Sequence, residues 1–260
     1  MKNIRIFKWA NAIALAIMFY VTYLSLALPL GGRTTAELSD LYVSFFTPAG
    51  ITFMIWNVIY LGLLAFVIHS FLDRGEREHG ASEYIPRLGW LFAVSCLLNA
   101  GWLFAWHYNV IWLSVLIMLS LLFVLTRIYL KLEIGKLEKI SWRRKLFVHA
   151  PFQFYLGWIS VATVANVSAF LISAGVVMTN VLQQAISIIL MVVVLYLANR
   201  MSRERRDAIY SIVIAWAFFG IGMKYLGDIR ETVWIGTPAI ILSIGALVLA
   251  VFTIRKRVIN

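Results

Sequence analysis

The 260-residue chain is too apolar to be a soluble domain. Hydrophobic residues make up 62% of it, charged residues only 13%, and its mean hydropathy is +0.87. A soluble fold of this length could not bury so much apolar surface, so the composition predicts a protein whose solvent is the bilayer. The net charge of +11 does not indicate nucleic-acid binding, because no soluble basic domain is present. The one cysteine, Cys96, excludes a disulfide framework and cysteine-based metal sites.

Eight apolar runs are long enough to cross a bilayer. In lipid each run must satisfy its own backbone N–H and C=O groups, so each is expected to be an α-helix. The first run is too long for the apolar part of a signal peptide and is kept as a helix. The runs lie at about residues 8–30, 46–71, 88–106, 110–130, 147–174, 177–198, 208–226 and 236–254. The predicted fold class is all-α, a polytopic transmembrane bundle of about eight spans.

Basic residues indicate the orientation of these spans. Alternate connectors and the two termini carry 20 of the 23 Lys and Arg residues, and the other side carries three, Arg33, Lys224 and Arg230. Because cytoplasmic loops carry the excess of Lys and Arg, both termini are expected in the cytoplasm of a multi-pass cell-membrane protein. The basic stretch 131–145 then faces anionic lipid, as a topology anchor or as a lipid site.

Acidic residues argue against ion-coupled transport. All twelve Asp and Glu residues fall in connectors or at helix ends, so no carboxylate is expected at mid-bilayer. Lys224 could form a Schiff base with retinal in a seventh helix, but no span offers a carboxylate counter-ion. Snorkelling of this lysine to the interface is the simpler interpretation.

Three spans carry aromatic and amide side chains at helical spacing, so that each set shares one helix face. The sets are Phe53, Trp56 and Tyr60; Asn99, Trp102 and Trp106; and Tyr155, Trp158, Ala162 and Asn166. One interpretation is helix packing, with the asparagines as interhelical hydrogen-bond groups. The other is a pocket for a large, flat, mostly apolar ligand.

The same segments resemble the TspO/MBR family, tryptophan-rich sensory proteins related to the mitochondrial translocator protein. The family's second-helix pattern, a proline and then F-x-x-W-x-x-x-Y, is matched by Pro48, Phe53, Trp56 and Tyr60. Its third-helix pattern L-N-x-x-W is matched by Leu98, Asn99 and Trp102. Its fifth-helix pattern Y-L-x-W, with a later alanine and asparagine, is matched by Tyr155, Leu156, Trp158, Ala162 and Asn166.

The resemblance implies a five-helix bundle over residues 1–175 whose three sets line one ligand pocket. The family binds porphyrins and other apolar molecules there, and in bacteria it is linked to sensing or handling tetrapyrroles. Two features depart from the family: segment 41–47 lacks its usual tryptophan, and Phe154 replaces a proline. Residues 176–260 add three helices with no recognised motif.

The predicted function is a membrane sensor or translocator-like protein that binds a tetrapyrrole or other flat apolar molecule. The alternative is a carrier of an apolar small molecule or lipid without ion coupling. An enzyme is not expected, because His107 and His149 lie at opposite ends of their spans and no catalytic motif is present. No cofactor is required and no metal site is expected. A porphyrin or haem-type molecule is a candidate ligand. Membrane lipids are expected partners, and nucleic acid is not. Whether the protein forms a homodimer is left open by the sequence.

Overall fold

The computed structural model describes residues 2–27, 30–42, 44–73, 81–136, 140–226 and 233–259. The two terminal residues, residues 74–80 and part of the basic stretch 131–145 lie outside the described residues, as does 227–232, which contains Arg230. Within the described ranges the chain is helical and contains no strand, which confirms the all-α fold.

Eleven α-helices occur within the described residues, with two 3₁₀ turns at Leu30–Gly32 and Gly50–Met54 and a π-helical turn at Lys145–His149. The α-helices are α1 (Lys2–Ala27), α2 (Thr35–Leu41), α3 (Ile55–Leu72), α4 (Ala81–Leu88), α5 (Leu91–His107), α6 (Ile111–Lys131), α7 (Trp142–Arg144), α8 (Ala150–Ser173), α9 (Asn180–Arg205), α10 (Ala208–Leu226) and α11 (Val233–Ile259).

Seven helical segments in this part of the chain are long and apolar enough to cross a membrane, and the number is eight if the pair α4 and α5, bent by 55°, is counted as one span. They coincide with the eight predicted runs. The bend follows from local sequence: Pro86 lies inside α4, and Gly89 has a φ of +57° after the last helical residue. A left-handed glycine there ends a helix and redirects the chain.

The predicted run 46–71 is not one continuous α-helix. After Pro48 the chain first forms the 3₁₀ turn Gly50–Met54, and α3 begins at Ile55. Phe53 therefore lies in the 3₁₀ turn, whereas Trp56 and Tyr60 lie in α3.

The chain forms two compact units. The first contains Met1–Thr35 and Trp56–Leu156, and the second contains Ala36–Ile55 and Gly157–Asn260. This partition differs from the expected division into residues 1–175 and 176–260, which follows the family resemblance and stays a prediction.

The first unit has an aromatic core built from α3, α4, α5 and the start of α8. The ring of Phe66 lies 4.9 Å from that of Phe92 and 5.1 Å from that of Phe152, and Tyr84 is 5.9 Å away. All four are fully buried, as is Cys96. Aromatic pairs at these distances stabilise a fold beyond the area that they bury.

The second unit is built on α9, α10 and α11, with the 3₁₀ turn Gly50–Met54 against α10. The indole N–H of Trp216 donates to the carbonyl of Thr52 over 2.9 Å, and the amide of Ala49 donates to the carbonyl of Gly220 over 3.0 Å. Helix α10 thus holds the segment that leads into the second span.

Candidate functional site

Four aromatic rings of the first unit form a continuous stack. Trp56 lies 5.3 Å from Tyr60 and 6.0 Å from Trp102, and Trp102 lies 5.9 Å from Trp106, with interplanar angles of 20° to 30°. We refer to Tyr60, Trp56, Trp102 and Trp106 as the aromatic stack. The i, i+4 spacing within α3 and within α5 produces it, because residues four apart lie on one helix face.

The polar centre beside the stack is Asn99. Its Nδ2 donates to the hydroxyl of Tyr155 over 2.9 Å, and its Oδ1 accepts from the hydroxyl of Tyr60 over 3.3 Å. Tyr155 also packs edge-on against Trp56 at 6.0 Å. One amide therefore joins α3, α5 and the start of α8, and its bond to Tyr60 ties Asn99 and Tyr155 to the stack.

The indole of Trp102 lies in the middle of the stack and is only 5% exposed. Its Nε1–H has no hydrogen-bond acceptor within the part of the chain that the structure describes. By contrast, the indole of Trp106 donates to the carbonyl of Thr35 over 3.3 Å. A buried donor without an acceptor is rare in proteins and costs about 1–3 kcal/mol.

A short segment closes the Trp106 end of the stack. The ring of His107 bonds to the carbonyl of Leu30 through Nδ1 (2.9 Å) and to the hydroxyl of Thr35 through Nε2 (3.0 Å). Since a carbonyl can only accept, Nδ1 carries a proton. The turn between these anchors contains Gly31, whose φ is +68°. Segment 30–35 is thus tied to α5 at three points.

The remaining predicted site residues belong to the second unit. The ring of Phe53 meets that of Trp158 edge-on at 5.9 Å. Ala162 and Asn166 follow Trp158 at helical spacing along α8, and Asn166 is buried. The first unit therefore brings together Trp56, Tyr60, Asn99, Trp102, Trp106 and Tyr155, and the second brings together Phe53 and Trp158.

Several residues at these sites could not be identified from their spacing. His107 and Thr35 anchor the closing segment, and the glycine pair Gly31–Gly32 was the available signal, because adjacent glycines mark a turn. Thr52 and Trp216 hold the segment before the second span, and no motif pointed to them. Within the described residues, no group of three or more His, Cys, Asp or Glu side chains is arranged to hold a metal ion.

The sequence model of the family described as TSPO-like protein matches residues 8–254. The chain belongs to the TSPO-like protein family. No curated protein and no solved structure matches the chain significantly. The match confirms the resemblance to the TspO/MBR family, and it includes α9 and α10 and most of α11. The chain is thus a multi-pass, TSPO-like membrane protein with an aromatic stack in its first unit.

Proposed function

We propose that this TSPO-like protein is a non-enzymatic sensor or translocator-like protein that binds a tetrapyrrole or another flat apolar molecule at the aromatic stack. The observation that carries the proposal is the buried Nε1–H of Trp102, which lacks an acceptor among the described residues. A ligand with an acceptor atom would satisfy that donor while its flat face packs on the rings.

Helix packing alone accounts less well for this arrangement. A phenylalanine at position 102 would preserve a ring in the stack without burying a polar group, so packing does not require an indole there. In a membrane an unsatisfied N–H has no water to bond to, so leaving it without an acceptor costs more free energy than at a water-exposed protein surface. The neighbouring amide of Asn99 is already shared between two tyrosines. Trp102 therefore keeps a donor within the aromatic stack that a ligand can use.

The test is a porphyrin titration of the purified protein, followed by the Soret band and by tryptophan quenching. Trp102→Phe keeps a ring in the stack and removes the N–H. We expect it to weaken binding by about 0.5–1.5 kcal/mol, roughly two- to twelvefold in Kd, with little loss of stability.

The matched control is Trp112→Phe, because Trp112 is 57% exposed on α6 of the same unit. Its porphyrin affinity should equal that of the wild type. Unchanged affinity in Trp102→Phe, or no saturable binding by the wild type, would reject the proposed role of the stack for porphyrins. Because segment 41–47 lacks the family's tryptophan, we expect weaker porphyrin binding than in relatives that have it.

The competing proposal is a carrier of an apolar solute without ion coupling. A sensor would bind its ligand without moving it, whereas a carrier would release it into the lumen of a vesicle. Porphyrin entry into proteoliposomes therefore separates the two. Flux above that of protein-free vesicles, lost in Trp102→Ala, would favour the carrier.

We also propose that both termini face the cytoplasm of a cell membrane. The support is the excess of Lys and Arg in the connectors on that side. A reporter fused after Asn260 should score cytoplasmic, and one inserted within 31–45 should score external. A cytoplasmic score for the second reporter would reverse the orientation.

A further inference from the structure

The second unit contains a cavity of about 420 Å³ between α8 and α9. Its walls are the second half of α8, the first half of α9 and the segment at Ser44 and Phe45. A volume of this size is within the range of pockets that hold small ligands. The wall on α8 includes Thr163, Val167 and Leu171.

This cavity is separate from the predicted ligand face of α8. Trp158, Ala162 and Asn166 were expected to line a ligand pocket together. At 100° per residue, Val167 and Leu171 point to the opposite side of the helix from these three. All residues that line the cavity belong to the second unit, whereas the aromatic stack belongs to the first.

Three of the polar side chains that line the cavity donate hydrogen bonds to nearby backbone carbonyls. The hydroxyl of Thr163 donates to the carbonyl of Ile159 over 2.7 Å, and that of Ser168 donates to the carbonyl of Val164 over 3.0 Å. The amide nitrogen of Gln183 donates to the carbonyl of Met178 over 3.1 Å. The two hydroxyl protons and one amide proton of Gln183 are therefore occupied, and the remaining lining is mostly aliphatic.

The lining of the cavity extends along both helices. On α8 its lining runs from Thr163 to Ile172, which corresponds to about 14 Å along the helix axis, and on α9 from Gln183 to Leu190, about 10 Å. Phe45 is the one aromatic lining residue in the described part of the chain, so a tetrapyrrole would have no pair of rings there to stack between. An extended hydrocarbon chain parallel to the helices matches this shape.

The ends of the cavity also fit an amphiphile. Val176 and Met178 line the cavity from the connector between α8 and α9, where both helices end. Leu171 and Ile186 are each more than a third exposed and leave a side open toward lipid. A chain could therefore enter from the bilayer and keep its polar head beside the connector.

We propose that the cavity between α8 and α9 binds one linear hydrocarbon chain of a membrane amphiphile, with the polar head at residues 176–183. The chain belongs either to a phospholipid or to a free fatty acid. The site is independent of porphyrin binding at the aromatic stack, because it uses different residues of a different unit.

The experiment uses the full-length protein in phosphatidylcholine vesicles. In one arm the probe is palmitic acid with a terminal diazirine, and in the other it is phosphatidylcholine with the same group on one acyl chain. We expect photolabelling of residues 163–172 and 183–190 that saturates and is competed by the unlabelled amphiphile. The arm that saturates at the lower concentration identifies the source of the chain.

Val167→Phe fills the cavity and should abolish the saturable labelling, while porphyrin titration stays as in the wild type. Val193→Phe is the matched control, because Val193 is 48% exposed on α9 and does not line the cavity. Leu190→Phe is a second filling variant in case the first does not fold. The proposal is overturned if labelling is non-saturable in both arms, or if a folded filling variant labels as the wild type does.

Discussion

The amide nitrogen of Asn99 donates a hydrogen bond to the hydroxyl of Tyr155 over 2.9 Å, and neither side chain is exposed. The two residues lie 56 positions apart, on α5 and at the start of α8. This bond, with the weaker one from Tyr60 to the same amide, fixes the position of three helices beside the aromatic stack.

Asn99→Ala should lower the free energy of unfolding, because it leaves two tyrosine hydroxyls without their amide partner. Interhelical hydrogen bonds in membranes average about 0.6 kcal/mol and reach about 1.7, so we expect a loss near the upper end of that range. Unfolding in bicelles measures this free energy, and a double-mutant cycle with Tyr155→Phe isolates the contribution of the Asn99–Tyr155 bond. Asn57→Ala, at an exposed position of α3, is the control. A cycle with no coupling would show that the bond does not stabilise the bundle.

Gly31→Ala should loosen segment 30–35 from α5. The added Cβ would clash with the carbonyl oxygen of His107, and a φ of +68° is strained for alanine. Gly32 shares the positive φ, at +80°, but a Cβ there meets nothing within 4 Å, so Gly32→Ala reports the strain alone. Hydrogen exchange of residues 30–35 should rise more in Gly31→Ala than in Gly32→Ala. Equal exchange would mean that the close approach to His107 is unimportant.

Gly220→Ala should detach the 3₁₀ turn Gly50–Met54 from α10. Its Cβ would come within 2.9 Å of the Cβ of Thr52, where the turn accepts the hydrogen bond from Trp216. Overpacking of this kind costs about 1–3 kcal/mol. Gly245→Ala is the control, because its Cβ would make an ordinary contact of 3.7 Å with Leu195. Thermal unfolding should separate the two variants, and equal midpoints would contradict the close packing of turn and helix.

Glu83→Ala should destabilise the first unit more than Glu133→Ala. Glu83 pairs with Arg87 at 2.9 Å and with the buried Arg144 at 3.6 Å, whereas Glu133 pairs with the half-exposed Arg87. Removing a partner from a buried charge costs about 3 kcal/mol, and from an exposed pair under about 1 kcal/mol. Denaturation of both variants in the same detergent measures the difference. Equal losses would show that Arg144 does not depend on Glu83.

Trp102 and Trp112 show what the sequence could not decide about the site. Both lie in apolar helices, yet Trp102 is 5% exposed in the stack and Trp112 is 57% exposed. In a soluble helix, polar residues would mark the outer face. In a membrane helix the lipid-facing positions are as apolar as the buried ones, so hydropathy does not distinguish them. Six of the ten predicted residues meet in the first unit, and the helical spacing of aromatic and amide side chains, not hydropathy, identified them.

The sequence by itself determined the series of membrane-spanning helices, the all-α class and the TSPO-like family. These properties depend on runs of apolar residues and on short motifs, both of which are local. Only the tertiary structure decided that Thr35 meets Trp106, that α10 holds Thr52, and that the α8 cavity lies opposite Trp158. These relationships join residues far apart in the chain or depend on which side of a helix its neighbour covers. Helix packing determines these relationships. The bilayer makes each span uniformly hydrophobic, so the hydropathy of a span does not indicate how it packs.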